Sequence, residues 1–222
     1  MDLVIAGAII KDHTMIEKSI ASVADYEFNN KFILFDGCPN EGLLKDEYDA
    51  YKSFIAKKYP DFCVIAFREN IYFRDMIEQI CRISEARRLF IIQDDVMAHK
   101  MDLKQIEIQM NYVKDLKILC FPHKYIGPEG SHWYEIIDDT YPLPFIKSHG
   151  FSERIFICDR KNMLKICETK PKKNKMEKRF IEFIYNTAMN KSRWKEGYED
   201  EKERYWEDFG CYYHHDIYHT HL

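Results

Sequence analysis

Two adjacent carboxylates, Asp94 and Asp95, are the residues of this chain whose type and position point most directly to chemistry. They follow Gln93 and a short apolar run, Leu89–Ile92, whose composition is typical of a strand buried on both faces. Two carboxylates held together at the end of a buried strand repel each other unless a counter-charge is present. A divalent cation with bound phosphates supplies that charge, because hard cations take oxygen ligands. The alternative is a solvated acidic turn, which is common for Asp pairs.

The elements that must position this pair alternate between strand and helix, which predicts βαβ units and a parallel sheet. The predicted strands are Leu3–Ile10, Lys31–Phe35, Phe62–Phe67 and Leu89–Ile92, and the predicted helices between them are Thr14–Ala24, Leu43–Lys58 and Asn70–Ala86. In such sheets ligands bind beyond the carboxyl ends of the strands. Ala8, Asp36, Arg68 and the Asp pair all fall at those ends, which favours a ligand site there.

The second half of the chain is less regular. Its predicted elements are a helix at Leu103–Lys114 capped by Asp102, strands at Ile118–Phe121 and Arg154–Cys158, and helices at Asn162–Cys167 and Met176–Met189. An aromatic loop region, Pro122–Pro144, separates the two strands. The whole pattern predicts an α/β fold in a single domain.

Composition excludes several classes of protein. With 222 residues, 46% of them hydrophobic and 15% aromatic, the chain is long and apolar enough for a substantial core and is unlike a disordered protein. The net charge of −4, from 33 basic and 37 acidic residues, gives no reason to expect nucleic acid as a partner. Seven scattered cysteines suggest reduced thiols, no run approaches the roughly 18 apolar residues of a membrane span, and no leader is evident. We therefore expect a soluble, cytoplasmic protein without a transmembrane segment.

Phosphate-binding loops rich in glycine are missing from the sequence. A dinucleotide or methyl-donor site would need several glycines after the first strand, but Gly7 stands alone there. The P-loop pattern and the G-x-S-x-G nucleophile elbow are also absent from the sequence. If the protein binds phosphates, we therefore expect a metal ion, rather than a glycine-rich loop, to hold them.

The order of motifs along the first hundred residues resembles the nucleotide-binding half of GT-A glycosyltransferases, particularly the family-2-like nucleotide-diphospho-sugar transferases. The likeness rests on Ser19–Val23 ending the first helix, Asp36-Gly37 ending the second strand, Asn70 with Arg74-Asp75, and the strand that ends in QDDV. Two positions depart from the family pattern. Gln93 replaces the first acid of the DxD-type triplet, and Asp75 replaces an asparagine.

The resemblance implies an α/β GT-A fold, with a single domain over residues 1–222 and a central, mostly parallel sheet flanked by helices. Residues 1–100 would be the nucleotide-binding half, and residues 101–222 the acceptor side and C-terminal tail. The implied activity is that of a hexosyltransferase-like glycosyltransferase dependent on Mn²⁺ or Mg²⁺. It would move a sugar from a UDP- or GDP-sugar to a hydroxyl of a glycan or related acceptor. A sugar-1-phosphate nucleotidyltransferase and a non-catalytic carbohydrate-binding module remain alternatives.

The resemblance also implies roles for residues on the donor side. Asp36 would meet the base or ribose, and Arg74 the diphosphate or base. Asp95 would hold the metal, with Asp94 nearer the ribose or sugar. The remaining residues expected to line the nucleotide are Ala8, Arg68 and Gln93. Without the resemblance, Asp36 is equally an ordinary Asp-Gly turn, and Arg74 is a surface helix residue paired with an acid.

Catalytic carboxylates are implied at three positions, Asp94, Glu177 and Glu182. In inverting relatives a carboxylate takes the proton of the acceptor hydroxyl as general base, and Glu177 and Glu182 lie on a helix that is a candidate for this role. Neither is followed by Asp, as it is in those relatives, so a solvated helix face is the alternative for both.

The chain ends in a tail rich in histidine and tyrosine, YYHHDIYHTHL. His215 and His219 are four residues apart and would share one face of a helix, whereas His219 and His221 would share a face of an extended chain. Imidazole is the commonest protein ligand for metals, and several GT-A enzymes complete their metal site with a late histidine. We therefore expect His219 or His215 to contact the metal. The alternative is a flexible, His-rich end.

Overall fold

The computed structural model describes most of the chain. The described residues are 1–7, 15–37, 43–122, 136–138, 143–148, 151–169, 181, 206–217 and 219–221. Three predicted site residues, Ala8, Glu177 and Glu182, lie outside this set.

Eleven strands and five helices can be given bounds within the described residues. The strands are β1 (Asp2–Gly7), β2 (Lys31–Phe35), β3 (Cys63–Ala66), β4 (Arg88–Gln93), β5 (Val96–Ala98), β6 (Ile118–Cys120), β7 (Ile136–Asp138), β8 (Phe145–Ser148), β9 (Ile155–Asp159), β10 (Cys211–His214) and β11 (His219–His221). The helices are α1 (Met15–Ser22), α2 (Leu43–Lys58), α3 (Tyr72–Ile83), α4 (Leu103–Tyr112) and α5 (Arg160–Thr169). None of these helices has both the length and the apolar composition that crossing a bilayer requires.

Nine of the described strands form one sheet, in the order β3-β2-β1-β4-β9-β6-β10-β8-β7. The pairings make seven of them run in one direction, with only β8 and β9 opposed. The remaining two, β5 and β11, pair with each other as a separate antiparallel ribbon. The prediction of an α/β fold with a central, mostly parallel sheet and flanking helices is confirmed.

The core lies along the central strands of the large sheet. Leu3–Ala6 of β1 and Leu89–Ile92 of β4 are fully buried, as expected for parallel strands covered on both faces. On α3 the buried apolar residues recur every three or four positions, which gives that helix one face for the sheet (Phe73, Met76, Ile77, Ile80).

The strand order places a topological switch point between β1 and β4. The chain builds β1, β2 and β3 outward on one side and then returns through α3 to add β4 on the other side of β1. Ala6 is paired with Gln93, so the carboxyl ends of β1 and β4 lie side by side. Open α/β sheets bind ligands at this position, and here it carries the Asp pair.

Several element boundaries differ from the sequence prediction, most clearly in the C-terminal tail. β2 and α2 have the predicted bounds, whereas α3 begins at Tyr72 rather than Asn70. The side chain of Asp102 accepts a hydrogen bond from the Gln105 amide at 2.9 Å, which confirms the predicted cap of α4. The tail does not form a helix where it is described. It forms β10 and β11 with a bend between them, so the extended alternative is the one observed.

Candidate functional site

The carboxylate of Asp94 lies directly against the last residue of β1. Its backbone N–H donates to the Ala6 carbonyl at 3.2 Å, and the residue is only 7% exposed. A Cβ built on Gly7 would lie 1.9 Å from Asp94 Oδ1 and 2.1 Å from Asp94 Cγ. Position 7 therefore has room for glycine alone while Asp94 keeps this place. In the sequence Gly7 indicated only that a glycine-rich loop is missing, because its contact with Asp94 joins distant parts of the chain.

Asp95 forms a turn with Asp94 that joins β4 to β5. Asp95 is half-buried, and β5, which follows the turn, pairs with β11. In that pairing His221 stands opposite Val96, and His219 stands opposite Ala98. The end of the chain thus runs alongside the segment that follows the Asp pair.

The predicted metal ligands Asp95, His215 and His219 are not gathered into one cluster. Within the described ranges, no three His, Cys, Asp or Glu side chains converge in a way that could hold an ion. The Asp94–Asp95 pair instead fits a metal site in which the protein supplies only one or two of the ligands. Mg²⁺-type cations are usually held by one or two carboxylates while the phosphates of the ligand supply further oxygens.

His219 is buried, with 2% exposure, and its Nδ1 lies 2.8 Å from the Phe121 carbonyl oxygen. Because a carbonyl only accepts, Nδ1 carries a hydrogen, and in the neutral ring the lone pair is then on Nε2. Metal-binding histidines commonly have their second nitrogen held in this way. His215 differs, since its half-exposed ring pairs with Asp216 at 2.9 Å.

Asp36 connects the end of β2 to the beginning of α3. Its Oδ1 accepts from the amides of Gly37 at 2.8 Å and Ile71 at 2.7 Å, and its Oδ2 accepts from the amide of Tyr72 at 2.9 Å. Burial raises the pKa of this carboxyl, and the backbone hydrogen bonds oppose that rise. Tyr72 has φ 64°, a left-handed conformation that is uncommon outside glycine. Asp36 was predicted to meet the base or ribose. Its two carboxylate oxygens also hold the backbone of the loop before α3 through these hydrogen bonds.

The loop before α3 carries two further polar groups at the carboxyl edge of the sheet. Arg68 is exposed there, as expected for a residue that follows a strand end. Asn70 Oδ1 is buried and has no hydrogen-bond partner among the described residues. A buried acceptor of this kind is costly unless a donor reaches it, so Asn70 joins Arg68 as a candidate ligand contact.

Arg74 is fully buried between α3 and α5 rather than lying on the surface. Its Nη2 donates to the Cys167 carbonyl at 2.7 Å. Cys167 lies in the last turn of α5, where helix carbonyls lack intrahelical partners and the helix dipole favours a cation. The alternative that Arg74 lies on the surface of the helix is therefore wrong. The diphosphate contact implied by the resemblance stays a prediction.

The sheet order and the flanking helices define the GT-A type of α/β fold. Crystal structures with this fold include S. aureus TarS 1-349, with a TM-score of 0.54 at 11% identity over 94% of this chain and 69% of that one. The same fragment in complex with UDP has a TM-score of 0.59 at 12% identity, over 99% of this chain and 59% of that one. A longer S. aureus TarS has a TM-score of 0.55 at 11% identity, over 94% and 42%.

TarS is a glycosyltransferase of family GT-2. At 11–12% identity the similarity shows a shared fold, and the present chain spans less than two thirds of the UDP complex and of the longer TarS. No model of a protein family matches the chain, and no curated protein sequence matches it.

Proposed function

We propose that the protein is a metal-dependent glycosyltransferase that moves a sugar from a nucleoside-diphosphate sugar, UDP- or GDP-linked, to a hydroxyl acceptor on a glycan or related molecule. The observation that carries this proposal is the Asp94 carboxylate packed over Gly7 at the switch point, with Asp95 beside it. The fold shared with TarS, whose structure has been determined in complex with UDP, supports the same reading.

On the donor side, Asp95 is the proposed metal ligand, and Asp94 would lie nearer the ribose or sugar. Bound Mn²⁺ or Mg²⁺ would neutralise the charge that develops on the departing diphosphate. His219, with its lone pair on Nε2, is the better candidate of the two tail histidines for a contact with this site. Asp36 would hold the loop that presents Arg68 and Asn70 to the nucleotide.

On the acceptor side, a hydroxyl oxygen forms a bond to the anomeric carbon of the sugar while the bond from that carbon to the diphosphate oxygen breaks. The electron pair leaves on the nucleoside diphosphate, and the hydroxyl proton passes to a carboxylate acting as general base. The resemblance makes Glu177 or Glu182 the candidate base in an inverting reaction.

A sugar-1-phosphate nucleotidyltransferase is less well supported. Such an enzyme would be expected to carry a glycine-rich loop with a basic residue directly after the first strand. Residues 8–14, AIIKDHT, contain no glycine.

The products formed from a panel of UDP- and GDP-sugars with Mn²⁺ test the proposal. Release of UDP or GDP, with the sugar transferred to an acceptor or to water, is the expected result, and it should stop when EDTA removes the metal. Release of pyrophosphate from a nucleoside triphosphate and a sugar phosphate would instead identify a nucleotidyltransferase. Binding of sugars without any product would identify a carbohydrate-binding module.

A further inference from the structure

Two serines on α1 hold the segment that carries and follows the Asp pair. Ser19 is fully buried, and its Oγ donates to the Asp94 carbonyl at 2.9 Å. Ser22, three residues later, accepts from the Ala98 amide at 3.0 Å and donates to the Ser19 carbonyl at 2.7 Å. One turn of α1 therefore contacts both the Asp94–Asp95 turn and the end of β5.

The two serines use their hydroxyl groups differently. A serine inside a helix usually bonds back to a carbonyl of the preceding turn, and Ser22 does so. Ser19 instead sends its single hydroxyl hydrogen to a residue 75 positions away in the chain. This bond links α1 to the candidate site, whereas the bonds of Ser22 do not reach the Asp pair.

The bond from Ser19 fixes the peptide unit that joins the two carboxylates. The peptide bond between Asp94 and Asp95 is planar, so a hydrogen bond that holds its carbonyl oxygen also fixes the orientation of the backbone at the start of Asp95. Asp94 is held on its other side by the hydrogen bond from its amide to the Ala6 carbonyl. The two hydrogen bonds hold the backbone of Asp94 on both sides, and the close approach to Gly7 limits the space around its carboxylate.

We propose that Ser19 is a positioning residue for the donor site, which sets the orientation of the Asp94 and Asp95 carboxylates without touching the substrate. This inference rests on the proposed function. A serine that only satisfied a buried carbonyl would affect folding stability, but it would not affect metal binding specifically. A positioning serine affects both, because a misplacement of about 1 Å at a reacting group costs about 100-fold in rate.

The test compares Ser19→Ala with Ser22→Ala, which removes a serine of the same helix that does not contact the Asp pair. Each substitution breaks hydrogen bonds of similar kind, so each should lower the Tm by about 2–6 °C. Binding of Mn²⁺ in the presence of UDP or GDP is then followed by calorimetry below the Tm of the less stable variant. We expect Ser19→Ala to weaken Mn²⁺ binding at least about 10-fold and to lower kcat more than it changes KM, while Ser22→Ala stays within about twofold of the parent.

The outcomes separate this inference from the proposed function. If the parent protein binds Mn²⁺ and turns over donor, and Ser19→Ala loses only Tm as Ser22→Ala does, Ser19 is merely structural and the inference fails alone. If the parent protein binds neither Mn²⁺ nor nucleoside diphosphate, the proposed function fails and the role of Ser19 fails with it.

Discussion

Substituting Gly7 with alanine tests the geometry of the candidate site most directly. The new methyl carbon would stand 1.9 Å from Asp94 Oδ1 and 2.1 Å from Asp94 Cγ, against an optimal carbon contact of about 3.5–4.0 Å. The carboxylate must therefore move by more than about 1 Å. A shift of that size at a reacting group costs about 100-fold, so kcat/KM for donor turnover should fall by about two orders of magnitude, or about 2.7 kcal/mol.

A double-mutant cycle shows whether the effect passes through Asp94. Overpacking should lower the Tm of Gly7→Ala, since a contact this close costs about 1–3 kcal/mol. In an Asp94→Ala background the opposing carboxylate is gone, and adding Gly7→Ala should cost little further stability. Thermal unfolding of the four proteins measures this coupling, and donor turnover is compared for Gly7→Ala and the parent. Equal Tm losses in both backgrounds, or normal turnover by Gly7→Ala, would refute the placement of the carboxylate.

Three further predictions concern the metal, a buried arginine and pH. Asp95→Asn keeps the shape but removes the charge, so donor turnover in Mn²⁺ should fall by orders of magnitude, and normal turnover would contradict the metal assignment. Arg74→Lys should lower stability by about 1–3 kcal/mol in denaturant unfolding, because the shorter ammonium cannot reproduce the buried contact of the planar guanidinium with the Cys167 carbonyl. Arg82→Lys, in an exposed ion pair on the same helix, is the matched control and should change stability by less than about 1 kcal/mol. A donor affinity that falls with little change in stability would instead favour the diphosphate role of Arg74. Burial lowers the pKa of His214 from 6.5 to about 4, so this histidine binds a proton more tightly in the unfolded protein than in the folded one. The contribution of neutral His214 to the free energy of unfolding should be fully present above about pH 6.5 and fall by about 3 kcal/mol between that pH and pH 4. His214→Asn should flatten this part of the Tm-versus-pH curve. An unchanged curve would show that another group causes the fall.

Local sequence patterns predicted several elements of the first half of the chain and the α/β fold class. The spacing of apolar residues predicted the bounds of β2 and α2, and a continuous apolar run predicted the buried character of β4, because these patterns extend over only a few residues. The cap of α4 at Asp102 followed from local chemistry in the same way. The βαβ order then put the Asp pair at the carboxyl edge of the sheet.

Tertiary structure decided how the side chains of the site are used. Asp94 meets Gly7 of β1, Arg74 meets Cys167 of α5, and Asp36 holds the start of α3, although each pair is separated by 35 to 93 residues in the chain. The tail became β10 and β11 because β6, β8 and β5 offered strands with which to pair. A local pattern shows that a residue is polar or that a segment can be extended, but it does not show which distant group will satisfy it. That choice depends on the packing of the whole sheet, so the hydrogen bonds of Asp36 to the loop before α3 could not be predicted from the sequence.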